Sequence, residues 1–375
     1  MLEYYEPATS ERRAQAEVDT AAIESNARLM RRVLGPGCQL IGVAKADAYG
    51  HGAVGAVQAM LRGGATCAAV ATVGEGRRLR AAGIDAPILV LGPASRRDLH
   101  EALALGLQLM VGDAAMIQAV AAAAEATGHQ ARVHLKIDTG MHRLGLLPHE
   151  ALPVLRATPG AGVLRWEGIF THFACADEPT RPETHFQIAA FEEVVGALAA
   201  AGYRFPLVHA ASSAGALAFP EARYSAARVG IALYGVAPSD EVGLPAGFQP
   251  ALTFRTSITR VAELPAGSQV SYGGVYRTPG PQRIATIGAG YADGLRRSPP
   301  WQQALVGGVR VPIVGRICMD YAMVDVTDLD AQVEDEVVLM GRQGEASISA
   351  AEVGQWLGTS AYEVLTTILP GEPRS

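Results

Sequence analysis

The segment Val43-Ala-Lys-Ala-Asp-Ala-Tyr-Gly-His-Gly52 decides how the rest of the chain is read. It overlaps the apolar run Leu40-Ile-Gly-Val-Ala44, which has the length and composition of a buried strand. Lys45 therefore stands near the carboxyl end of a strand, and Tyr49 with the glycines turns the chain into a helix that begins near His51. An ammonium group in apolar surroundings is costly without a partner. That cost vanishes when the amine is tied up as a Schiff base with an aldehyde. A lysine with its ordinary pKa of about 10.4 also needs such an environment to act as a nucleophile at neutral pH. The plainer alternative is a lysine that snorkels from the strand end into solvent. This stretch alone leaves both readings open.

Working outward, residues 16–235 alternate short runs of Val, Ile and Leu with longer stretches at helical spacing. Strands are expected at 40–46, 67–73, 87–91, 107–111, 133–138, 166–173, 207–211 and 227–232. Helical text lies between them, for example at 51–62, 97–103, 113–127 and 183–201, and a further helix at 21–34 precedes the first strand. Eight β/α units are the number that closes a parallel barrel. An open doubly wound sheet has the same periodicity, so closure is not decided by it. After the turn at 235–238 the pattern changes to alternating strands at 252–262, 269–272, 283–287, 309–318, 323–326 and 336–339, separated by Gly and Pro turns. Two short helices near 350–357 and 361–368 close the chain, and Ser349 is expected to cap the first with Glu352 as capping-box partner. The expected class is α/β: a parallel (β/α)8 barrel over 16–239, then a mainly antiparallel β domain over 250–375. Residues 240–249 read as the linker, and residues 1–15 as a segment packing on the β domain.

Composition narrows the function. With 375 residues, two domains are the natural division. The net charge of −6 and the lack of a basic run argue against a nucleic-acid partner. No apolar run approaches the length of a membrane span, and the first fifteen residues lack the apolar core of a signal peptide. Cys38, Cys67, Cys175 and Cys318 are dispersed, with no CxxC pair, which suits free thiols in a reducing cytoplasm and offers no metal site.

Barrel enzymes carry their chemistry at the carboxyl ends of the strands. Here those ends hold Lys45, the segment Lys136-Ile-Asp-Thr-Gly-Met-His-Arg-Leu-Gly145, Thr171-His-Phe173, Ala210-Ala-Ser-Ser-Ala214 and Arg228-Val-Gly-Ile231. A phosphate site after the seventh and eighth strands is common in such barrels. Ser213 and the backbone amides near Gly230 and Ile231 suit it, because Gly230 has no Cβ to keep a phosphate away.

These segments resemble the alanine racemases that use pyridoxal 5′-phosphate. The matching stretches are 43–52, 136–145, 171–178, 212–214, 228–235, Ser271-Tyr-Gly273, Gly290-Tyr-Ala-Asp-Gly294 and Gly315-Arg-Ile-Cys-Met-Asp320, with Tyr362. They run in the family's order from residue 40 onward, and together they are highly specific. The resemblance implies a homodimer with shared active sites that interconverts L- and D-alanine and supplies D-alanine for cell-wall peptidoglycan. It implies that Lys45 is the Schiff-base lysine and one of two catalytic bases, and that Tyr272 is the second base, on the opposite face of the cofactor. Tyr49, Ser213 and Tyr362 are implied at the phosphate, with Gly230 and Ile231. Arg228 is implied to face the pyridine nitrogen, and His172 to link it to Tyr272. A phenol has a pKa of about 10, so a tyrosine base needs cationic neighbours.

Arg143 is implied to contact the cofactor's phenolic oxygen and the substrate carboxylate, Met319 to bind that carboxylate through its amide, and Tyr291 to narrow the entrance. Lys136 matches a lysine that many relatives carry as a carbamate, an anion that would orient Arg143. Asp320 is matched without a clear role. His142 stands where many relatives have glycine. Gly288-Ala-Gly290 lies in β text and is not a nucleotide loop. His51 reads as a helix-start residue and Cys318 as a half-buried core residue. A racemase of broader range, a serine racemase, and a non-catalytic barrel that binds the same cofactor are the alternatives. The last lacks a β domain like the one carrying Tyr272.

Overall fold

A computed structural model describes residues 13–158 and 162–368. The eight apolar runs are the strands β1 (Gln39–Val43), β2 (Ala65–Val70), β3 (Ile88–Val90), β4 (Gln108–Val111), β5 (Ala131–Lys136), β6 (Leu164–Phe170), β7 (Leu207–His209) and β8 (Ala226–Val229). They form a closed barrel in chain order, with β8 pairing in parallel back onto β1 from Gln39↔Ala226 to Gly42↔Val229. Closure explains why these strands read as continuous apolar runs: side chains on one face fill the barrel and those on the other meet the helices. The helix Thr20–Leu34 buries Ile23, Ala27, Met30 and Leu34, the 3–4 spacing of one helical face. Thr72 caps the helix Val73–Ala81 in a reciprocal capping box with Glu75, and Asp113 caps Ala114–Thr127.

The first strand stops at Val43, three residues short of the expected end. Ala46, Asp47, Ala48 and Tyr49 then form a left-handed turn, with φ of 52°, 51°, 57° and 54°. Each non-glycine residue there costs roughly 1–2 kcal/mol, so the turn needs anchors. The Ala46 amide donates to Glu75 Oε1 at 2.7 Å, and the Ala53 amide to Asp47 Oδ1 at 2.9 Å. Glu75 Oε2 accepts from the amides of Ala71 and Thr72, so one carboxylate ties the Lys45 turn to the end of β2. Only after this turn does the helix Ala53–Arg62 begin.

The described residues 13–19 and 252–368 make the second compact unit. Its spine is the 13-residue strand Leu252–Leu264, which pairs antiparallel with Gln15–Val18, Gln282–Ile287 and Glu336–Gln343. Residues 16–18, counted into the barrel above, lie in the first of these partners, and residues 1–12 fall outside the described residues. The expected strand at 309–318 ends at Pro312 and forms a hairpin with Gln303–Val306, a strand absent from the sequence reading. The expected strand at 269–272 ends at Val270. Ser271, Gly273 and Gly274 have φ of 63°, 72° and 54°, which bends Tyr272 out of the sheet into a tight turn. Ser349 caps the helix Ala350–Leu357 by accepting from the Glu352 amide at 3.1 Å, while the Glu352 carboxylate pairs with Arg310. Among the described residues no helix is long and apolar enough to cross a membrane.

Candidate active site

Arg228 on β8 is the centre of the barrel's polar residues and is 5% exposed. Its Nη1 donates to His209 Nδ1 at 2.8 Å and to the His209 carbonyl at 3.0 Å. Its Nη2 donates to the carbonyls of Thr171 at 2.7 Å and Ala210 at 2.9 Å and meets His172 Nδ1 at 3.1 Å. These partners are all neutral. Burial pulls the Arg228 pKa down to about 9, which still leaves the guanidinium charged at neutral pH. The Phe170 ring lies 5.0 Å from the guanidinium carbon and 5.1 Å from Lys136 Nζ, a cation–π arrangement for both. Burial foremost, and then the charges of Arg228, Lys136, Arg143 and Lys45, hold half-buried His172 well below the usual histidine range. It is therefore neutral, with Nδ1 accepting and the proton on Nε2.

Lys45 follows β1 and is exposed; partial desolvation first, and then the charges of Arg143 and Arg228, lower its pKa, with Glu75 opposing. Lys136, at the end of β5, is 8% exposed and donates to the Ile137 carbonyl at 3.1 Å. Burial, then Arg228 and Arg143, against the pull of Asp138, bring it down to about 7. The loop after it is shaped by Asp138, whose Oδ1 accepts from the amides of Gly140, Met141 and His142, each at 3.0 Å. Burial opposes charge on Asp138, but the His142 and Gly140 amides and the His142 and Lys136 charges outweigh it and keep the carboxyl below its ordinary pKa. Arg143 projects from this loop and is exposed. His142 is exposed in the left-handed region at φ 53°, with Nδ1 3.9 Å from Asp138 Oδ2.

A second group of donors gathers after β7 and β8. Ser213 Oγ accepts from the amides of Gly230 at 3.1 Å and Ala232 at 3.3 Å, with Ile231 between them. A Cβ on Gly230 would lie 2.6 Å from Tyr49 Oη, so only glycine lets the Tyr49 hydroxyl reach this corner. Four cations (Lys45, Lys136, Arg143 and Arg228) and this set of hydroxyl and amide donors suit an anionic, phosphate-bearing ligand. The leftover Arg228 Nε–H, for which no described residue is a hydrogen-bond partner, suits an aromatic ring nitrogen. The barrel residues thus fit pyridoxal 5′-phosphate. Among the described residues no group of His, Cys, Asp and Glu is arranged to hold a metal ion.

The β unit brings its own predicted residues onto one surface. The amide of Tyr291 donates to the Cys318 carbonyl at 2.9 Å, that of Ala292 to the Met319 carbonyl at 3.0 Å, and Ser271 Oγ to the Arg316 carbonyl at 2.5 Å. Three loops are thereby stitched together, displaying Tyr272, Met319 and Tyr291 at 64%, 54% and 40% exposure. Arg296 reaches Glu363 at 3.5 Å and so links the helix that carries half-buried Tyr362 to the loop after Tyr291. Asp320 is exposed beside them. Cys318 is half-buried, with Sγ 3.5 Å from Ser271 Oγ.

Sequence reasoning did not single out His209, Glu75 or Asp138. His209 closes an apolar strand, the same signal that picked out His172. The other two act only through backbone amides brought together by folding, and no spacing in the sequence marks that.

The chain matches the family of the alanine racemase N-terminal domain over residues 18–238 and that of the C-terminal domain over 251–375. It is 43% identical to the alanine racemase of Symbiobacterium thermophilum, over 96% of each chain. The solved alanine racemase from D-cycloserine-producing Streptomyces lavendulae is 36% identical and superposes with a TM-score of 0.91, covering 97% of each chain. A histidine racemase from Leuconostoc mesenteroides is 27% identical with a TM-score of 0.88, covering 97% of this chain and 98% of its own.

Proposed function

The chain belongs to the alanine racemase family, and from that premise we propose that it interconverts L- and D-alanine with pyridoxal 5′-phosphate, using Lys45 and Tyr272 as its two bases. The observation that carries this is the barrel end itself, where a lysine of lowered pKa shares one site with Arg228, Arg143 and the donors around Ser213. Tyr49, Ser213, the amides at Gly230 and Ile231, and Tyr362 hold the cofactor's phosphate. Arg228 faces its ring nitrogen. When bound, the cofactor withdraws electron density from the substrate Cα and makes its hydrogen acidic. Because an arginine donates a hydrogen bond without giving up its proton, that withdrawal is moderate, which favours returning the proton over side reactions.

Lys45 anchors the cofactor's aldehyde and moves a proton at Nζ on one face of the substrate. Tyr272 moves one at Oη on the other face, in a homodimer where each chain's tyrosine serves its partner's barrel. His172 links the tyrosine to Arg228, which supplies the cationic setting a phenol base needs. Arg143 and the Met319 amide receive the substrate carboxylate, and Tyr291 narrows the entrance. The product serves peptidoglycan synthesis in the cytoplasm, a reading supported by four free cysteines.

Two measurements test this reading. Borohydride treatment of the purified yellow protein is expected to fix the cofactor on Lys45, identified by peptide mass spectrometry; label on Lys136 in its place would sink the assignment. In a panel of L-amino acids, alanine is expected to be preferred over leucine or lysine, since each extra methylene in a fitted pocket changes discrimination by about 1–3 kcal/mol. The likeness to a histidine racemase favours a broader pocket as the second reading. Equal kcat/KM for alanine and histidine would support it.

We also propose that Lys136 is carbamylated. Only the neutral amine attacks CO2, and a pKa of about 7 makes that form abundant above neutrality. The modification is therefore expected at Lys136 in protein kept above pH 7 with bicarbonate and should be lost on acidification. An unmodified Lys136 in a well-ordered crystal grown under alkaline conditions would remove it. The new anion would relieve the repulsion among four cations and orient Arg143.

A further inference from the structure

Arg228 lies at one end of a line of buried polar groups that runs across the barrel interior. His209 Nε2 is 2.9 Å from His134 Nδ1, and His134 Nε2 is 2.9 Å from Gln108 Oε1. Gln108, His134 and His209 are 3%, 0% and 0% exposed. Barrel interiors are ordinarily filled by branched apolar side chains, and buried polar groups are tolerated only when satisfied. The fold makes room for this line. A Cβ on Gly168 of β6 would lie 2.4 Å from His134 Nδ1, and the Phe170 ring stacks on His209 at 4.8 Å with an interplanar angle of 4°.

The chemistry of the two ends leaves one arrangement of protons. A guanidinium only donates, so His209 Nδ1, 2.8 Å from Arg228 Nη1, carries no proton. The His209 proton is then on Nε2 and points at His134 Nδ1, which must also be bare. The His134 proton is on its Nε2 and points at Gln108, whose amide must present its oxygen. Running the chain the other way would set N–H against N–H at Arg228, and so would a proton added to His209. A proton added to His134 would clash at His209.

We propose that Gln108, His134 and His209 are positioning residues for racemisation: a one-directional hydrogen-bond chain that fixes the Arg228 guanidinium plane from behind. The inference rests on the reading that Arg228 faces the cofactor ring. With Nη1 and Nη2 fully engaged, the chain determines where the remaining Nε–H donor lies. Burial first, and then neighbouring cations led by Arg228, hold His134 at about 3 and His209 well below its ordinary value, in keeping with two neutral rings.

The test is 15N NMR of the holoenzyme labelled at histidine, together with kinetics of a Gln108 variant. Both buried rings are expected as neutral Nε2–H tautomers through the neutral pH range. An imidazolium or an Nδ1–H tautomer at either ring would overturn the chain. Gln108→Met removes the terminal acceptor at similar volume. It is expected to lower kcat about tenfold, the scale of one lost buried hydrogen bond, with KM for alanine nearly unchanged. A purely structural role would lower Tm and leave the kcat of the folded holoenzyme at the wild-type value, which would refute the proposal. If Gln108→Met does not fold, the wild-type tautomers decide alone. Borohydride labelling of Lys45 in the same samples keeps the cofactor assignment separate, because it should persist whichever way the tautomers fall.

Discussion

Lys45→Ala and Tyr272→Phe are each expected to abolish alanine racemisation, by about 10³-fold or more for the tyrosine, since a positioned general acid or base contributes roughly 10²–10⁴. The lysine should cost more, because it serves twice. On the proposed reading it anchors the cofactor and also moves a proton. Its setting suits both tasks: partial desolvation, then Arg143 and Arg228, lower its pKa, and the left-handed turn pinned by Glu75 fixes where its stem begins. Tyr272→Phe removes one hydroxyl and leaves the ring in place, so the fold and Tm should be nearly untouched. Steady-state kinetics with circular dichroism checks both variants. A Tyr272→Phe enzyme within a few fold of wild-type kcat would remove the tyrosine from the mechanism.

The second large effect is a recovery. If each active site combines Lys45 of one chain with Tyr272 of its partner, the two inactive variants complement each other. Unfolded and refolded together in equal amounts, Lys45→Ala and Tyr272→Ala should give about half mixed dimers by random pairing. In each mixed dimer one site has both bases and the other has neither. Activity should then return to roughly a quarter of wild type. Mixed dimers confirmed by mass but without activity would mean that both bases come from one chain.

Much of this was legible in the sequence because the barrel repeats one pattern. Each buried strand leaves a continuous apolar run, and each polar residue at a run's end stands out against it. Lys45, Lys136, His172 and Ser213 stand out in that way, and Arg228 stands out as a cation inside the eighth run. Closure was not legible, since pairing of β8 with β1 leaves no periodic mark. Strand ends were misjudged where backbone conformation overrides pattern. Ala46 to Tyr49 are ordinary residues in a left-handed turn held by a carboxylate from position 75, and Ser271 takes a positive φ that nothing in its type announces. The hairpin at Gly307-Gly308 shows in the sequence only as one strand's boundary, because Gln303–Val306 is too short to show alternation. The chain Gln108–His134–His209 was invisible for another reason. Its members stand on three strands, and only the barrel brings them together.

The most direct test of the two-base account is Cα–hydrogen exchange in D2O with Tyr272→Phe. Lys45 is then the only base left, on one face of the substrate. One enantiomer of alanine is expected to exchange its Cα hydrogen for deuterium with retention, many times for each inversion, while the other does not exchange. Exchange of both enantiomers at comparable rates would contradict the account, because a single remaining base would then be serving both faces.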